Sequence, residues 1–151
     1  MTTEPSLKTR ALGYLARREH SRLELEKKLA RHASAAGEIP AALDALEQQG
    51  FLSAARVVEQ VVQVRKSKFG SQRIAHELRE KGIAENLIVA ALPDIRETEH
   101  ERAREVWRKK FGAMPANAKE LGRQMRFLMG RGFPGDVIRQ VLRHSDEEEP
   151  R

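Results

Sequence analysis

The feature that most constrains this chain is an internal repeat of about fifty residues. When Lys81–Leu92 is laid over Arg131–Leu142, the two segments align without a gap and Gly82 falls on Gly132. The apolar positions recur in this register while the polar residues between them differ: Leu78 with Leu128, Ile83 with Phe133, Leu87 with Val137, Ile88 with Ile138, and Ala91 with Val141. Self-similarity at this period is typical of stacked arrays, in which each unit buries part of its apolar face against its neighbour.

A looser third copy lies upstream of these two. It pairs Leu25 and Leu29 with Ile74 and Leu78, and Leu43 and Leu46 with Val89 and Leu92. The 151 residues therefore indicate three small units joined end to end. A unit of this size buries only about 60% of its unfolded surface, so we expect each one to be modestly stable.

The apolar spacing indicates helices throughout the chain. The valines from Val57 to Val64 raise a strand as an alternative, but they recur at three and four residues, which favours a helix. Ser21 and Glu24 match a capping box at a helix start, and Pro40 is expected to begin the third helix. Pro93 is expected to end the sixth helix, and the segment Asp94–Glu97 to begin the seventh.

The predicted fold is all-α, with three tandem three-helix repeats that form an elongated, curved rod. The expected boundaries are 1–52, 53–93 and 94–145 for the repeats, followed by an acidic disordered tail at 146–151.

Positive charge is concentrated in the third unit. The whole chain has a formal net charge of +6, and residues 98–145 hold 11 basic against 5 acidic side chains. Such a balance attracts phosphate backbones or acidic protein surfaces, although a solvated face is an equal alternative. The absence of cysteine, of a membrane span and of a signal peptide predicts a cytoplasmic protein.

No pattern of catalytic or metal-binding residues is present in the sequence. The five histidines are scattered, the serines at helix starts are explained by capping, and no phosphate-binding loop occurs. Trp107 and Phe111 stand at helical spacing and are expected in the core. We therefore predict a protein that is not an enzyme and uses no cofactor or metal.

Three segments together resemble the RecX family of bacterial recombination regulators. Lys68–Ile83, followed by a helix that ends in Leu92, is similar to the middle repeat of that family, while Arg17–His32 with Gln48–Ser53 and Phe127–Leu142 are similar to its first and third repeats. The resemblance extends from about Leu7 to His144, and its specificity lies in the order and spacing of the segments.

The resemblance implies a regulator of the RecA recombinase. Members of the family bind the RecA filament on DNA along its helical groove and suppress ATP hydrolysis, strand exchange and stimulated self-cleavage of the SOS repressor, so they modulate DNA repair, and some bind DNA directly. Two alternatives stay open from the residues themselves: a direct DNA-binding helical module and a generic helical-repeat scaffold. We expect a monomer.

Candidate contacts with a partner or DNA are basic residues on the outward faces of helices. Lys109 is set aside because Glu105, four residues earlier, is expected to pair with it. The predicted contact residues are Arg65, Lys66, Lys68, Arg104, Arg108, Arg123, Arg126, Arg131, Arg139 and Arg143.

One departure from the family pattern follows Leu52. The family usually has an acidic pair there, whereas this chain has Ser53-Ala54-Ala55 and then keeps Arg56. The departure leaves the expected fold untouched and removes any contact that those acids would make.

Overall fold

The computed structural model describes the backbone of residues 4–148 and the side chains of residues 4–143. This part of the chain contains nine α-helices and a short 3-10 helix at Ala30–His32, and no strand. The helices are α1 Leu7–Leu15, α2 Arg22–Leu29, α3 Glu38–Gln48, α4 Ala54–Arg65, α5 Ser71–Glu80, α6 Glu85–Glu97, α7 Glu99–Lys110, α8 Ala118–Gly130 and α9 Gly135–Glu148. The prediction of an all-α repeat fold is confirmed.

Side-chain caps explain where several helices begin. Ser21 and Glu24 form the reciprocal capping box, in which each backbone N–H donates to the other residue's side chain at 3.1 Å. Ser6, Ser53 and Asn117 each accept a hydrogen bond from the backbone N–H three residues later. These bonds satisfy amides that have no partner inside the helix, which is the structural role expected of the serines.

The break between the sixth and seventh helices lies later than the sequence indicates. Pro93 is inside α6, which continues to Glu97, so the prediction that Asp94–Glu97 begins the next helix was wrong. Val89, whose carbonyl would have accepted the missing proline N–H, is on the exposed side of the helix, so its lost bond is not buried. Continuing the helix buries Ile95 in the second core, which favours the longer form.

The third helix also differs slightly from the prediction. It begins at Glu38, so Pro40 lies in its first turn and not at its first residue. The first three amides of a helix have no carbonyl partner within it, so proline is tolerated throughout this turn.

Each set of three helices encloses its own apolar core. The first core contains Leu25, Leu29, Leu43 and Leu46, the second is centred on Ile74, Leu78 and Ile88, and the third on Leu128, Phe133, Ile138 and Val141. The residues paired by the fifty-residue repeat therefore occupy equivalent positions in the second and third units. The looser pairing of Leu43 with Val89 fails, because Leu43 is buried while Val89 is 55% exposed.

The second and third units are joined through their backbones. The N–H of Gly70 donates to the carbonyl of Arg131 at 2.8 Å, and the N–H of Gln72 donates to that of Gly132 at 3.0 Å. A Cβ placed on Gly132 would stand 2.3 Å from the Cβ of Arg73, so only glycine fits this approach. Gly132 also has φ +88°, a conformation that glycine adopts without strain.

The first and second units meet through side chains. Arg56 of α4 forms an ion pair with Glu19 at 2.8 Å, and Lys81 after α5 forms one with Glu24 at 3.2 Å. Leu23 lies against the backbone of Gly82, where a Cβ would be 3.0 Å away. This joint therefore depends more on charge, and is more open to screening by salt, than the joint between the second and third units.

Helix α9 runs further than expected. Its backbone is helical through Glu148. The prediction of a disordered tail was therefore wrong for residues 146–148. Residues 149–151 lie outside the described residues.

Candidate partner-binding surface

Three of the predicted contact residues are neutralised by acids of the same chain. Arg65 donates from Nε to Glu77 at 2.9 Å, and Arg108 binds Glu105 through two bonds of 3.0 and 2.7 Å. Arg123 lies 3.5 Å from Glu120. Exposed pairs of this kind contribute only about 0–1 kcal/mol to stability, but they cancel much of the field that an acidic partner would meet.

Glu105 pairs mainly with Arg108 and not with Lys109. The expected Glu105–Lys109 pair is present at 3.8 Å, while Arg108 holds both carboxylate oxygens. The planar guanidinium can donate to both carboxylate oxygens at once, which an ammonium cannot do in the same geometry. Arg108, three residues after Glu105, therefore forms the stronger pair with that carboxylate.

Six predicted residues have no ion pair with the described residues. Five of them are exposed: Lys66, Lys68, Arg126, Arg139 and Arg143. Arg131 is half-buried at the joint between the second and third units. The uncompensated charge of the predicted surface therefore comes from these six residues and not from all ten. The tenth predicted residue, Arg104, is half-buried on α7.

Cations and aromatic rings alternate across the joint between the second and third units. The Arg73 guanidinium stands 4.6 Å from the centroid of Phe69, and Arg131 stands 5.3 Å from the same ring and 5.1 Å from Phe127. The Lys110 ammonium lies 5.4 Å from Phe127. We call this series Arg73, Phe69, Arg131, Phe127 and Lys110 the cation–aromatic ladder. Each contact is within the distance at which a ring face attracts a cation.

A cleft of about 340 Å³ opens beside the ladder. Four cations and no carboxylate line it, and its apolar wall comes from Val106 and Phe127. The cationic residues at the cleft are Lys68, Lys109, Lys110 and Arg131. The fold therefore gathers positive charge from the end of α4, the end of α7 and the end of α8 into one concavity.

Sequence reasoning identified Lys68 and Arg131 but not Arg73 or Lys110. Lys110 is one of three consecutive basic residues at the end of α7, and the sequence does not distinguish it from the other two. Arg73 lies on α5, where the apolar stripe is the dominant pattern. An available signal was the position of Phe69 and Phe127, each of which stands close in sequence to one of the cations.

Arg102 and Glu99 hold the joint from inside. Arg102 donates to the carbonyls of Lys66 at 2.6 Å, Phe69 at 3.0 Å and Ile95 at 2.6 Å. Burial lowers the pKa of its guanidinium, and the negative charge of Glu99 opposes that shift. Glu99, only 2% exposed, accepts hydrogen bonds from the backbone N–H and hydroxyl of Ser71 and so caps α5. Both residues are structural, and the sequence marked neither.

The indole of Trp107 is part of the third core. Its Nε1–H donates to Oε1 of buried Gln124 at 2.8 Å, and Gln124 in turn donates to the carbonyl of Ala113 at 3.1 Å. Phe111 is half-buried against the same core and meets Phe127 edge-on at 5.4 Å. The core assignment is confirmed for Trp107, whereas Phe111 is only half-buried and packs against the edge of that core.

Three RecX domain descriptions match the chain in order. The first three-helix domain of RecX matches residues 8–51, the second matches 55–92 and the third matches 97–142. The chain belongs to the RecX family. Two relatives named regulatory protein RecX show the degree of similarity: that of Leptothrix cholodnii is 57% identical, with 95% of this chain and 91% of the relative covered, and that of Ralstonia pickettii is 42% identical, with 94% and 89% covered.

Solved RecX structures share the fold. The crystal structure of RecX from Lactobacillus salivarius superposes with a TM-score of 0.80 at 19% identity and covers 93% of this chain and 95% of that one. A second crystal structure of regulatory protein RecX gives a TM-score of 0.77 at 21% identity, covering 89% of this chain and 70% of that one. The family and the relatives' names indicate a regulatory protein.

The departure from the RecX pattern after Leu52 leaves Arg56 with a structural role. Its Nη2 donates to the carbonyl of Gly50 at 2.7 Å while its Nε pairs with Glu19. Arg56 thus connects the first and second units without the acidic pair, which is consistent with the expectation that the fold does not depend on those acids.

No group of three or more potential metal ligands forms among the described residues of this RecX family member. Within that same part of the chain, no helix is both long and apolar enough to cross a membrane.

His20 is buried in the first unit and is held in its neutral form. Its Nδ1 is 3.0 Å from the carbonyl of Arg18, and its Nε2 is 2.8 Å from the ammonium of Lys28. An ammonium can only donate, so Nε2 accepts and Nδ1 carries the proton. Burial lowers the pKa of His20, and the nearby Arg18 and Lys28 charges lower it further, against the opposing effect of the bond to the Arg18 carbonyl.

We expect His20 to make the first unit sensitive to mild acid. In the unfolded state the His20 imidazole binds a proton near pH ~6.5, and in the folded state it does so only at lower pH. The stabilisation that neutral His20 gives the folded state is therefore complete above pH ~6.5 and is lost as the pH falls through the folded pKa. Between pH 8 and pH 5, the urea concentration at the midpoint of unfolding should fall less for His20→Gln than for the parent. His76→Gln, at an exposed histidine, should follow the parent, and identical curves for all three would contradict the assignment.

Glu24 responds in a separate, lower range of pH. Burial raises its pKa, but hydrogen bonds from Arg18, the Ser21 backbone and Lys81 dominate and bring the pKa to about 2. Its contribution is complete above the ordinary glutamate value and is lost as the pH falls toward 2, so it does not overlap the histidine effect.

Proposed function

We propose that this chain binds the filament that the RecA recombinase forms on DNA and inhibits its ATPase, strand-exchange and coprotease activities. The observation that carries the proposal is the match to all three RecX domains in order, together with relatives named regulatory protein RecX over nearly the whole chain. It acts by occupying a surface, with no chemistry of its own, as a monomer in the cytoplasm.

The distribution of charge supports this proposal. Arg126, Arg139 and Arg143 are exposed, belong to the third unit and have no acid of the described chain to neutralise them. Uncompensated cations raise the rate at which an acidic surface or a phosphate backbone is met, and salt weakens the attraction. A row of three units also provides contacts to more than one subunit of a polymer.

A matched pair of triple variants tests whether the uncompensated arginines make the contact. Arg126→Gln/Arg139→Gln/Arg143→Gln should raise severalfold the concentration that half-inhibits RecA ATPase on single-stranded DNA at low salt. Arg65→Gln/Arg108→Gln/Arg123→Gln removes the same charge from residues that are already paired, and should change that concentration less than the first variant.

The outcomes separate the function from the surface. A parent protein that leaves the ATPase unchanged at saturation would overturn the proposed function. Equal losses for the two variants, with circular dichroism spectra like the parent's, would show that only net charge matters. A greater loss for the paired set would place the contact around Arg65 and Arg108.

A further inference from the structure

The two joints of the chain are built differently, and the difference begins in the backbone. We call the joint between the first and second units the first joint, and the one between the second and third units the second joint. At the first joint, Leu52 is buried in the first core and Val57 in the second. Between Leu52 and the start of α4 stands one residue, Ser53, with extended backbone at φ −145° and ψ 116°. Rotation about the dihedrals of this residue changes the direction of α4 relative to the first unit.

The ion pair of Glu24 at the first joint can open at low cost. Glu24 accepts from Lys81 of the second unit at 3.2 Å. The same carboxylate has two partners inside the first unit, Arg18 at 2.6 Å and the backbone N–H of Ser21 at 3.1 Å. Glu24 therefore stays hydrogen-bonded when Lys81 turns to water, and no buried charge is left without a partner.

Arg56 makes the second ion pair of the first joint. Its Nε donates to Glu19 at 2.8 Å, and its Nη2 donates to the carbonyl of Gly50 at 2.7 Å. The paired side chains of Arg56 and Glu19 are 43% and 28% exposed, so water can replace their bond when they part. Gly50 is close in sequence to Ser53, so a rotation at Ser53 displaces it less than it displaces Glu19.

A gap of about 310 Å³ lies beside these pairs at the first joint. Arg18 lines it from the first unit, and Val64 is among the residues that line it from the second. Val64 is 59% exposed, so an apolar side chain at the joint is left uncovered. Among the described residues, no backbone–backbone hydrogen bond crosses from the first unit to the second. This side of the joint is therefore not a packed interface.

The second joint resists opening. Glu99, which is 2% exposed, binds the backbone N–H and hydroxyl of Ser71 across it. Arg102 donates across it to backbone carbonyls of the second unit, and the N–H groups of Gly70 and Gln72 donate to carbonyls of the third. A small displacement would leave these buried polar groups without partners before water could reach them, which is costly. The second and third units are therefore held as one body.

We infer that the first unit turns about Ser53 as a body, while the second and third units stay together. The two ion pairs, Arg56–Glu19 and Lys81–Glu24, act as a latch that favours the closed arrangement. Opening the latch changes the angle between the first unit and the rest of the chain and leaves all three cores intact. Salt screens partly exposed pairs, so it moves the balance toward the open arrangement. The movement requires no partner.

Pairs of spin labels measure the two joints separately. The chain has no cysteine, so labels attach only where cysteines are introduced. Ala41→Cys/Ala90→Cys spans the first joint and Ala90→Cys/Lys119→Cys spans the second, and all three positions are exposed. Double electron–electron resonance should give a broader distance distribution across the first joint. Between about 0.01 and about 1 M salt, where the Debye length falls from about 30 to about 3 Å, only that distribution should change.

A charge-neutral double variant tests the latch. Lys81→Gln/Glu19→Gln breaks both ion pairs of the first joint. A partly exposed pair is worth up to about a 5-fold change in an equilibrium constant, so the ratio of open to closed forms should rise about 5-fold or more. Arg79→Gln/Glu105→Gln is the matched control, because it also breaks two pairs, but pairs that lie within the second and third units. It should leave both distance distributions unchanged, and thermal melts of each labelled variant establish that the fold is retained.

Three results would overturn the inference. One is an equally narrow distribution across both joints that neither salt nor Lys81→Gln/Glu19→Gln changes, because the first joint would then be as fixed as the second. Another is an equally broad distribution across both joints, because the second and third units would then not form one body. The third is an equal broadening by Arg79→Gln/Glu105→Gln, which would show that the loss of any surface pair loosens the chain. Since no recombinase is present, none of these outcomes bears on inhibition of the ATPase.

Discussion

Gly132→Ala should lower the thermal midpoint of this protein far more than Gly37→Ala. The two glycines have nearly the same backbone conformation, with φ +88° and +89°, so the strain of placing a side chain at positive φ, about 1–2 kcal/mol, is common to both. A Cβ at Gly37 meets nothing within 4 Å, whereas one at Gly132 would stand 2.3 Å from the Cβ of Arg73 and 2.5 Å from its backbone N. The added overlap costs roughly another 1–3 kcal/mol.

Differential scanning calorimetry measures this difference. At roughly 2–4 °C per kcal/mol for a chain of this size, an added cost of about 1–3 kcal/mol should place the midpoint of Gly132→Ala about 2–12 °C below that of Gly37→Ala. In an array, loss of a joint also separates the unfolding of neighbouring units, so a broadened or split transition is expected for Gly132→Ala alone. Equal midpoints would show that the second and third units do not approach as closely as described.

Leu78→Ala should strongly destabilise the second core. Leu78 is fully buried among Ile74, Val58 and Ile88, and truncating such a leucine costs about 2–5 kcal/mol through lost transfer energy and the cavity left behind. Because the unit is small, this is a large fraction of its stability. The expected loss of thermal midpoint is about 4 °C or more.

Leu121→Ala is the matched control for Leu78→Ala. It makes the same chemical change on α8, where Leu121 is 39% exposed and little cavity can form. Urea denaturation followed by circular dichroism should show a clear fall in midpoint for Leu78→Ala and a small one for Leu121→Ala. Similar small changes in both would mean that Leu78 is not central to a packed core.

The basic surface shows the limit of what a linear pattern can predict. Lys68 and Arg131 were identified from sequence as cations near helix ends, yet their pairing with Phe69 and Phe127 depends on how the second unit sits on the third. Arg65, Arg108 and Arg123 looked equally available, but each has an acid within reach. Arg65 finds its acid on the next helix, twelve residues away, where sequence spacing could not indicate the pair. Arg108 and Arg123 pair with acids three residues earlier on their own helices, a spacing that is visible in the sequence.

The sequence by itself determined the helices and the number of units, because apolar spacing, side-chain caps and a repeat of about fifty residues act locally and appear directly in the order of residues. It placed the glycines at the turns for the same reason. Only the tertiary structure decided that Gly132 is the turn glycine packed between the second and third units, and that Pro93 lies inside a helix whose continuation buries Ile95. It also decided that Glu99 binds Ser71 and Arg102 binds the carbonyl of Lys66 at the joint between those two units. These outcomes depend on contacts between residues far apart in the chain, where the burial of a side chain or a carboxylate outweighs the local preference of the backbone.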